Sequence, residues 1–372
     1  MTAIEPIQAY RIERAHGVAD LDRTEWNDVV SRADGSVFHT WEFLSAFEEA
    51  PPGSFQPAHL LAYAGPRLVG VCPAYLVHQC PRLDHLLALG ALDVGGPILL
   101  AHSLAGFAGG PLAVPDHPAA ADALITGLEQ TAGELGAWAW GIANLPASPL
   151  VGRLLGAGYA VAQVADTHLV ETAAFAAPPD YWAAMTSRRR RTLSRERRVR
   201  SDGLHFAEAI PDIDTLVRLV HATLRAHKTP IDVLPKDFLH ALRRHLAAFE
   251  RTLAITDDHG ETAAVFVGWQ FGAEWSLWMA GLETDRFTAF EPYHPAMAHA
   301  IEAAITARTP RVNLGRGNAP VKRRYGATGT PLFLALSCAD RSRNALLHAW
   351  CGTLETRSRE SADGLEVVSR CC

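Results

Sequence analysis

Val312-Asn313-Leu314-Gly315-Arg316-Gly317-Asn318-Ala319-Pro320-Val321-Lys322-Arg323-Arg324-Tyr325-Gly326 begins as a short apolar strand and breaks at Gly315 and Gly317. It carries Arg316, Lys322, Arg323 and Arg324 before a second stop at Gly326. A glycine at such a break lets the backbone turn or approach a ligand closely. A strand that ends this way and delivers cations suits an anionic or carbonyl-bearing substrate at its carboxyl end. A strand followed by a solvated basic turn has the same composition, so the surrounding pattern has to decide.

Working outward, the unit occurs twice. His117-Pro118-Ala119-Ala120-Ala121 opens one apolar-periodic helix and His294-Pro295-Ala296-Met297-Ala298 another, 177 residues apart. Each leads to a strand with a glycine followed three places on by asparagine: Gly141 with Asn144, and Gly315 with Asn318, at an offset of 174. A hairpin precedes each helix, one over 59–78 turning at Gly65-Pro66, the other over 252–270 turning at Asp257-Asp258-His259-Gly260. Four elements in one order at nearly one offset describe a duplicated α/β domain.

The composition allows this. A chain of 372 residues has room for two cores, and 48% hydrophobic with 20% charged residues is globular. A net charge of −6 offers no overall polycation, so any anion binding must come from local patches. No apolar run reaches the roughly 18 residues of a membrane span. The start at Met1-Thr2-Ala3-Ile4-Glu5-Pro6 lacks the pattern of a signal peptide. The six cysteines have no paired metal spacing. The expectation is a cytoplasmic protein with reduced thiols, no membrane segment and no metal.

The expected domains are residues 1–172, a linker with an arginine-rich helix over 173–203, a second domain over 204–338, and a C-terminal helix and mobile tail over 339–372. In the first domain Thr24 is expected to cap a helix over 25–31, and Ser36 to lead into one over 41–49. The hairpin strands run over 59–64 and 68–77. Glycine-studded residues 86–114 read as strands with bulges, followed by helix 118–135 and strand 138–143. In the second domain the expectation is helix 213–226, hairpin 252–270, strand 275–281, helix 295–307, the strand at 312 and a closing strand over 332–336.

Between the domains, Arg188, Arg189, Arg190, Arg191, Arg195, Arg197, Arg198 and Arg200 place eight arginines among thirteen residues. Charge runs are often solvated helix faces. Arginine in preference to lysine, however, favours planar, bidentate contact with phosphate or carboxylate.

With this order in hand, the chain resembles the tandem GNAT-fold acyltransferases, in particular the FemABX-like group and its relatives with a BioF2-like acetyltransferase domain. The resemblance rests on Ser36-Val37-Phe38-His39-Thr40-Trp41-Glu42-Phe43-Leu44, the segment 188–203, Gly315-Arg316-Gly317, Lys322 and Tyr325-Gly326. It covers most of residues 7–338. It implies an α/β protein with two tandem GNAT-like domains facing each other across a cleft. It implies an N-acyltransferase that passes an acyl or aminoacyl group from aminoacyl-tRNA or acyl-CoA to a small-molecule or peptide amine, with no covalently bound cofactor. By the same resemblance Lys322 takes the place of the family's lysine near the last strand, where a cation meets an oxyanion or a phosphate. Arg188, Arg189, Arg190 and Arg191 are then candidates for a donor or acceptor phosphate, and Gly315, Arg316, Gly317, Asn318, Arg323 and Tyr325 for substrate contact. A CoA-using GNAT carries a Gln/Arg-x-x-Gly-x-Gly/Ala loop at the helix after its central strand. Here those starts read Val114-Pro115-Asp116-His117-Pro118 and Glu291-Pro292-Tyr293-His294-Pro295, without the glycines and with prolines that lack an N–H. That departure favours aminoacyl-tRNA over acyl-CoA as donor.

For general base the candidates are Glu283, Asp285 and His294, with Glu291 behind them. A substrate-assisted base would serve equally. No P-loop, dinucleotide fingerprint or zinc-type His/Cys spacing is present. The rival to an enzyme is a catalytically inactive GNAT pair that binds an anionic ligand or partner through its arginine helix.

Overall fold

The computed structural model describes residues 10–102, 105–283 and 292–360. The chain divides into two compact units, Met1–Ala162 with Phe333–Thr353, and Gln163–Leu332 with Leu354–Cys372.

Unit 1 runs β1 (Arg11–Ala15), α1 (Arg23–Arg32), α2 (Trp41–Glu49), β2 (Ser54–Pro57), β3 (His59–Ala64), β4 (Arg67–Cys72), β5 (Ala74–Gln79), α3 (Pro81–Leu89), β6 (Ile98–Ala101), β7 (Leu112–Ala113), α4 (Ala120–Glu134), β8 (Ala139–Pro146) and α5 (Pro149–Gly156). One sheet has the order β1-β3-β4-β7, and β8-β6-β5-β2 run side by side in another. Helix α4 packs on β3 and β4 and buries Leu124, Leu128 and Ala132.

Three local expectations are corrected here. The second hairpin strand does not run through 68–77. It splits at Pro73, which has no N–H for a ladder, so β4 pairs with β3 while β5 pairs with β2 and β6 in the other sheet. The stretch expected to be strands with bulges includes part of α3, which Pro81 opens at the first helical position and which buries Leu83, Leu86 and Leu87. Asp22, not Thr24, caps α1, accepting from the N–H groups of Thr24 and Glu25.

Unit 2 contains all but the first residues of β9 (Ala160–Glu171). There follow α6 (Pro178–Ala183), α7 (Ser187–Arg200), β10 (Leu204–Glu208), α8 (Ile213–Ala226), α9 (Lys236–His245), β11 (Leu253–Asp257), β12 (Thr262–Phe271), β13 (Glu274–Leu282), α10 (Tyr293–Thr306), β14 (Arg311–Arg316), α11 (Ala319–Arg324) and the first half of β15 (Thr328–Ser337); from Phe333 to Thr353 the rest of β15 and most of α12 (Arg341–Glu360) belong to unit 1. Its strands lie in the order β10-β11-β12-β13-β14-β9. Only one of these neighbouring pairs, β13 with β14, is parallel, and α10 supplies the crossover that a parallel pair requires. Ala296, Met297, Ala300, Ile301 and Ile305 of α10 are buried in a core with Leu193 of α7, Tyr181 of α6 and Val312 and Leu314 of β14. The strand-and-cation stretch is thus fastened along its apolar half to the centre of this core.

Candidate functional site

The site grows from an irregularity in β14. Asn313 pairs with Leu169 and Arg316 with Thr167 of β9, so Leu314 and Gly315 together oppose the single residue His168. Two residues against one is a β-bulge, which bends a strand and re-aims its neighbours. Gly315 takes it at φ 75°, a conformation glycine adopts without steric cost. The side chain of Asn313 pins it: its Oδ1 accepts from the Gly315 N–H at 2.9 Å and from the Thr167 hydroxyl at 2.6 Å, while its Nδ2 donates to Glu274 at 3.1 Å.

Beyond the bulge the backbone stays left-handed at Gly317 and Asn318 (φ 70° and 49°) and enters the short helix α11. That turn folds Lys322 back inside. Its Nζ donates to the Arg316 carbonyl at 2.6 Å, and the residue is 1% exposed. Burial draws its pKa well below the ordinary 10.5, because an ammonium loses its hydration there.

The carbonyl end of α11 needs donors, and the arginine helix and α6 supply them. Arg189 donates to the carbonyls of Arg324 and Arg323 at 2.6 and 2.7 Å, and the Tyr181 hydroxyl donates to that of Tyr325 at 2.6 Å. Arg324 forks onto both oxygens of Glu196, and Arg197 onto both of Glu302. Helix α7 therefore has two kinds of arginine. Arg189, Arg190 and Arg197 face the protein, with Arg190 donating to the Trp182 carbonyl at 3.3 Å. Arg188, Arg191, Arg195 and Arg198 are exposed, and their spacings of three, four and three residues align them on one side. Of the four arginines expected to hold phosphate, only Arg188 and Arg191 stand on that row.

The other expected residues are distributed as follows. Arg323 is exposed and acts electrostatically on Asp166 and His168. Tyr325 is fully buried. Glu283 forms an ion pair with Arg218 of α8 at 3.0 Å. His294 is buried with its Nδ1 3.8 Å from Glu196; burial, Arg200 and Arg324 lower its pKa and Glu196 opposes them. Asp285 and Glu291 lie outside the described residues.

Two residues on β9 did not stand out in the sequence. His168 is 0% exposed, its Nδ1 lies 3.4 Å from the Gly315 carbonyl, and its Nε2 has no hydrogen-bond partner among the described residues. Burial and the neighbouring Lys322, with a smaller push from Arg323 and an opposing one from the Gly315 carbonyl, take its pKa down to about 4. Asp166, two places earlier and so on the same face, is buried and accepts from Gln163 at 3.0 Å. Burial raises its pKa against the pull of Arg323 and Gln163. Nothing local marks the pair, because β9 also carries Gln163, Thr167 and Glu171.

Residues 186–323 match the family model of the acetyltransferase (GNAT) domain, a span from the start of α7 through Lys322. Solved structures share the fold over nearly the whole chain. FemX aligns with a TM-score of 0.62 at 10% identity, covering 90% of this chain and 100% of that one. The C-terminal domain of a putative lysylphosphatidylglycerol synthetase from Agrobacterium fabrum aligns at 0.58 and 15% identity, covering 91% and 97%. A tandem GNAT protein from the clavulanic acid biosynthesis pathway aligns at 0.54 and 12% identity, covering 89% and 99%. No curated protein matches the chain in sequence. The chain has the tandem GNAT fold, and its residues 186–323 match the GNAT acetyltransferase domain. Among the described residues no cluster of His, Cys, Asp or Glu could hold a metal ion, and no helix is long and apolar enough to cross a membrane.

Proposed function

We propose that the chain moves an acyl or aminoacyl group from an activated, phosphate-bearing carrier onto an amine, with aminoacyl-tRNA as carrier in preference to acyl-CoA. The observation that carries this is Lys322, shielded from water in the short helix that follows a bulged strand, within the stretch that matches the GNAT domain. The amine nitrogen attacks the carrier's carbonyl and forms the C–N bond. The tetrahedral oxyanion is met by the Lys322 ammonium and a backbone N–H of the Gly315–Gly317 turn, of which Gly317 is the choice because that of Gly315 is held by Asn313. The bond to the carrier oxygen or sulfur then breaks, and the proton lost by the amine leaves with the carrier. No covalent bond to the enzyme forms.

Two features support the choice of carrier. The exposed row of Arg188, Arg191, Arg195 and Arg198 suits a run of phosphates. Helix α10 follows Pro292 and carries Pro295 in its first turn, and α4 follows Ala119, so neither opens on the glycines that receive a pyrophosphate. The test is incubation of purified protein with a mixture of primary amines and either aminoacyl-tRNA or acyl-CoA, each labelled in the acyl group, with products weighed by mass spectrometry. A labelled amide from aminoacyl-tRNA is expected. Product from acyl-CoA alone would overturn the carrier, and no product from either would overturn the transferase.

A further inference from the structure

His168 and Asp166 form a second polar centre beside the Lys322 turn. The Nδ1 of His168 faces a carbonyl oxygen, which can only accept, so Nδ1 carries the proton and Nε2 presents its lone pair. Leaving such a buried acceptor unmatched costs about 1–3 kcal/mol. The space in front of it is defined by Gly329, half-exposed at the start of β15. A Cβ there would lie 3.7 Å from His168 Nε2 and 3.9 Å from the carboxyl carbon of Asp166. The missing side chain therefore leaves room for a group of about methyl size beside both acceptors, with Gly329 itself half-exposed and His168 Nε2 shielded from solvent.

We propose that this place over Gly329 seats the nitrogen of the acyl-accepting amine, with His168 Nε2 and the Asp166 carboxylate each receiving one of its N–H bonds. The inference rests on the N-acyltransferase reading and assigns the acceptor half of it. The two acceptors match the two N–H groups of a neutral primary amine and leave its lone pair for attack. The seat would not suit a carboxylate or phosphate, since both facing groups are acceptors.

The test uses the full chain with 15N-labelled histidine and glycinamide as a plain primary-amine probe, without any donor. His168→Gln identifies the Nε2 resonance. That resonance is expected to move on adding glycinamide to the wild type and to stay in place in Gly329→Ala. This methyl makes an ordinary contact at 3.7 Å, and Gly329 is not at positive φ, so the fold tolerates it. In turnover, Gly329→Ala is expected to raise KM for the amine at least tenfold with KM for the donor unchanged. A wild-type Nε2 resonance unmoved by glycinamide, as with a water alone at this place, would overturn the seat. So would the same movement in Gly329→Ala. Because the spectrum needs no acyl donor, a failure of the seat is distinguishable from a failure of acyl transfer.

Discussion

His59 in unit 1 and His168 in unit 2 are both fully buried, and they differ in how they are matched. His59 Nε2 lies 2.6 Å from Glu48, and its Nδ1 accepts from the Ala74 N–H at 3.1 Å. Glu48 in turn accepts from the Val18 N–H at 2.8 Å. Every group in that chain has a partner, and the network ties α2 to β3 and β5. His168 has one long contact at 3.4 Å and a nitrogen with none among the described residues. A satisfied buried histidine holds a fold together. An unsatisfied one beside a bulge and a buried lysine costs stability, and the proposed amine seat would give that nitrogen its partner.

The comparison breaks first if the two histidines respond alike. His59→Ala strands Glu48 and the Ala74 N–H, so chemical unfolding at neutral pH should show a loss of about 3–4 kcal/mol. A loss under about 1 kcal/mol would remove its structural role.

Acid sharpens the contrast. His168 has a folded pKa of about 4 against an ordinary 6.5, so as pH falls the unfolded chain takes up the proton first. Its contribution to stability is intact above pH 6.5, is lost between 6.5 and about 4, and changes no further below. The full loss is roughly 3 kcal/mol. Urea unfolding of wild type and His168→Gln at neutral pH and near pH 4 should show the variant losing less by that amount. Equal losses would contradict the environment described for His168.

The same opposition recurs at smaller scale within α7. Arg189→Ala, which strips donors from two carbonyls of α11, should cost about 2 kcal/mol. Changing Arg191, Arg195 and Arg198 together to Gln should alter stability by less than about 0.5 kcal/mol. It should nonetheless flatten the salt dependence of carrier binding. A salt dependence identical to wild type would leave the exposed row as a solvated face.

Much of the scaffold was legible because it depends on local pattern. Helix α8 occupies the residues that its apolar period marks, and the turn at 257–260 separates β11 from β12 as its Asp/Gly composition requires. The strand, glycines and Lys322 of the opening stretch also appear in the order expected. The misses were long-range. Pro73 marks a break, but which sheet the chain joins afterwards depends on strands far away. The bulge at Leu314-Gly315 exists only in register with β9, so nothing local singled out His168 or its orphaned nitrogen. Counting arginines could not separate Arg189, committed to carbonyls, from Arg191 on the exposed row. Chemistry assembled from separate strands is read from register, not from motif.

The proposed centre is tested most directly by Lys322→Met, in which an apolar side chain of similar length replaces a buried amine without leaving a charge unpaired. Turnover of labelled carrier and amine to amide should fall at least tenfold, about 1.4 kcal/mol of barrier, with Tm unchanged or higher. Wild-type activity should itself decline on the alkaline side well below the ordinary 10.5 of lysine, as the ammonium is lost. Wild-type turnover in the variant would contradict the account.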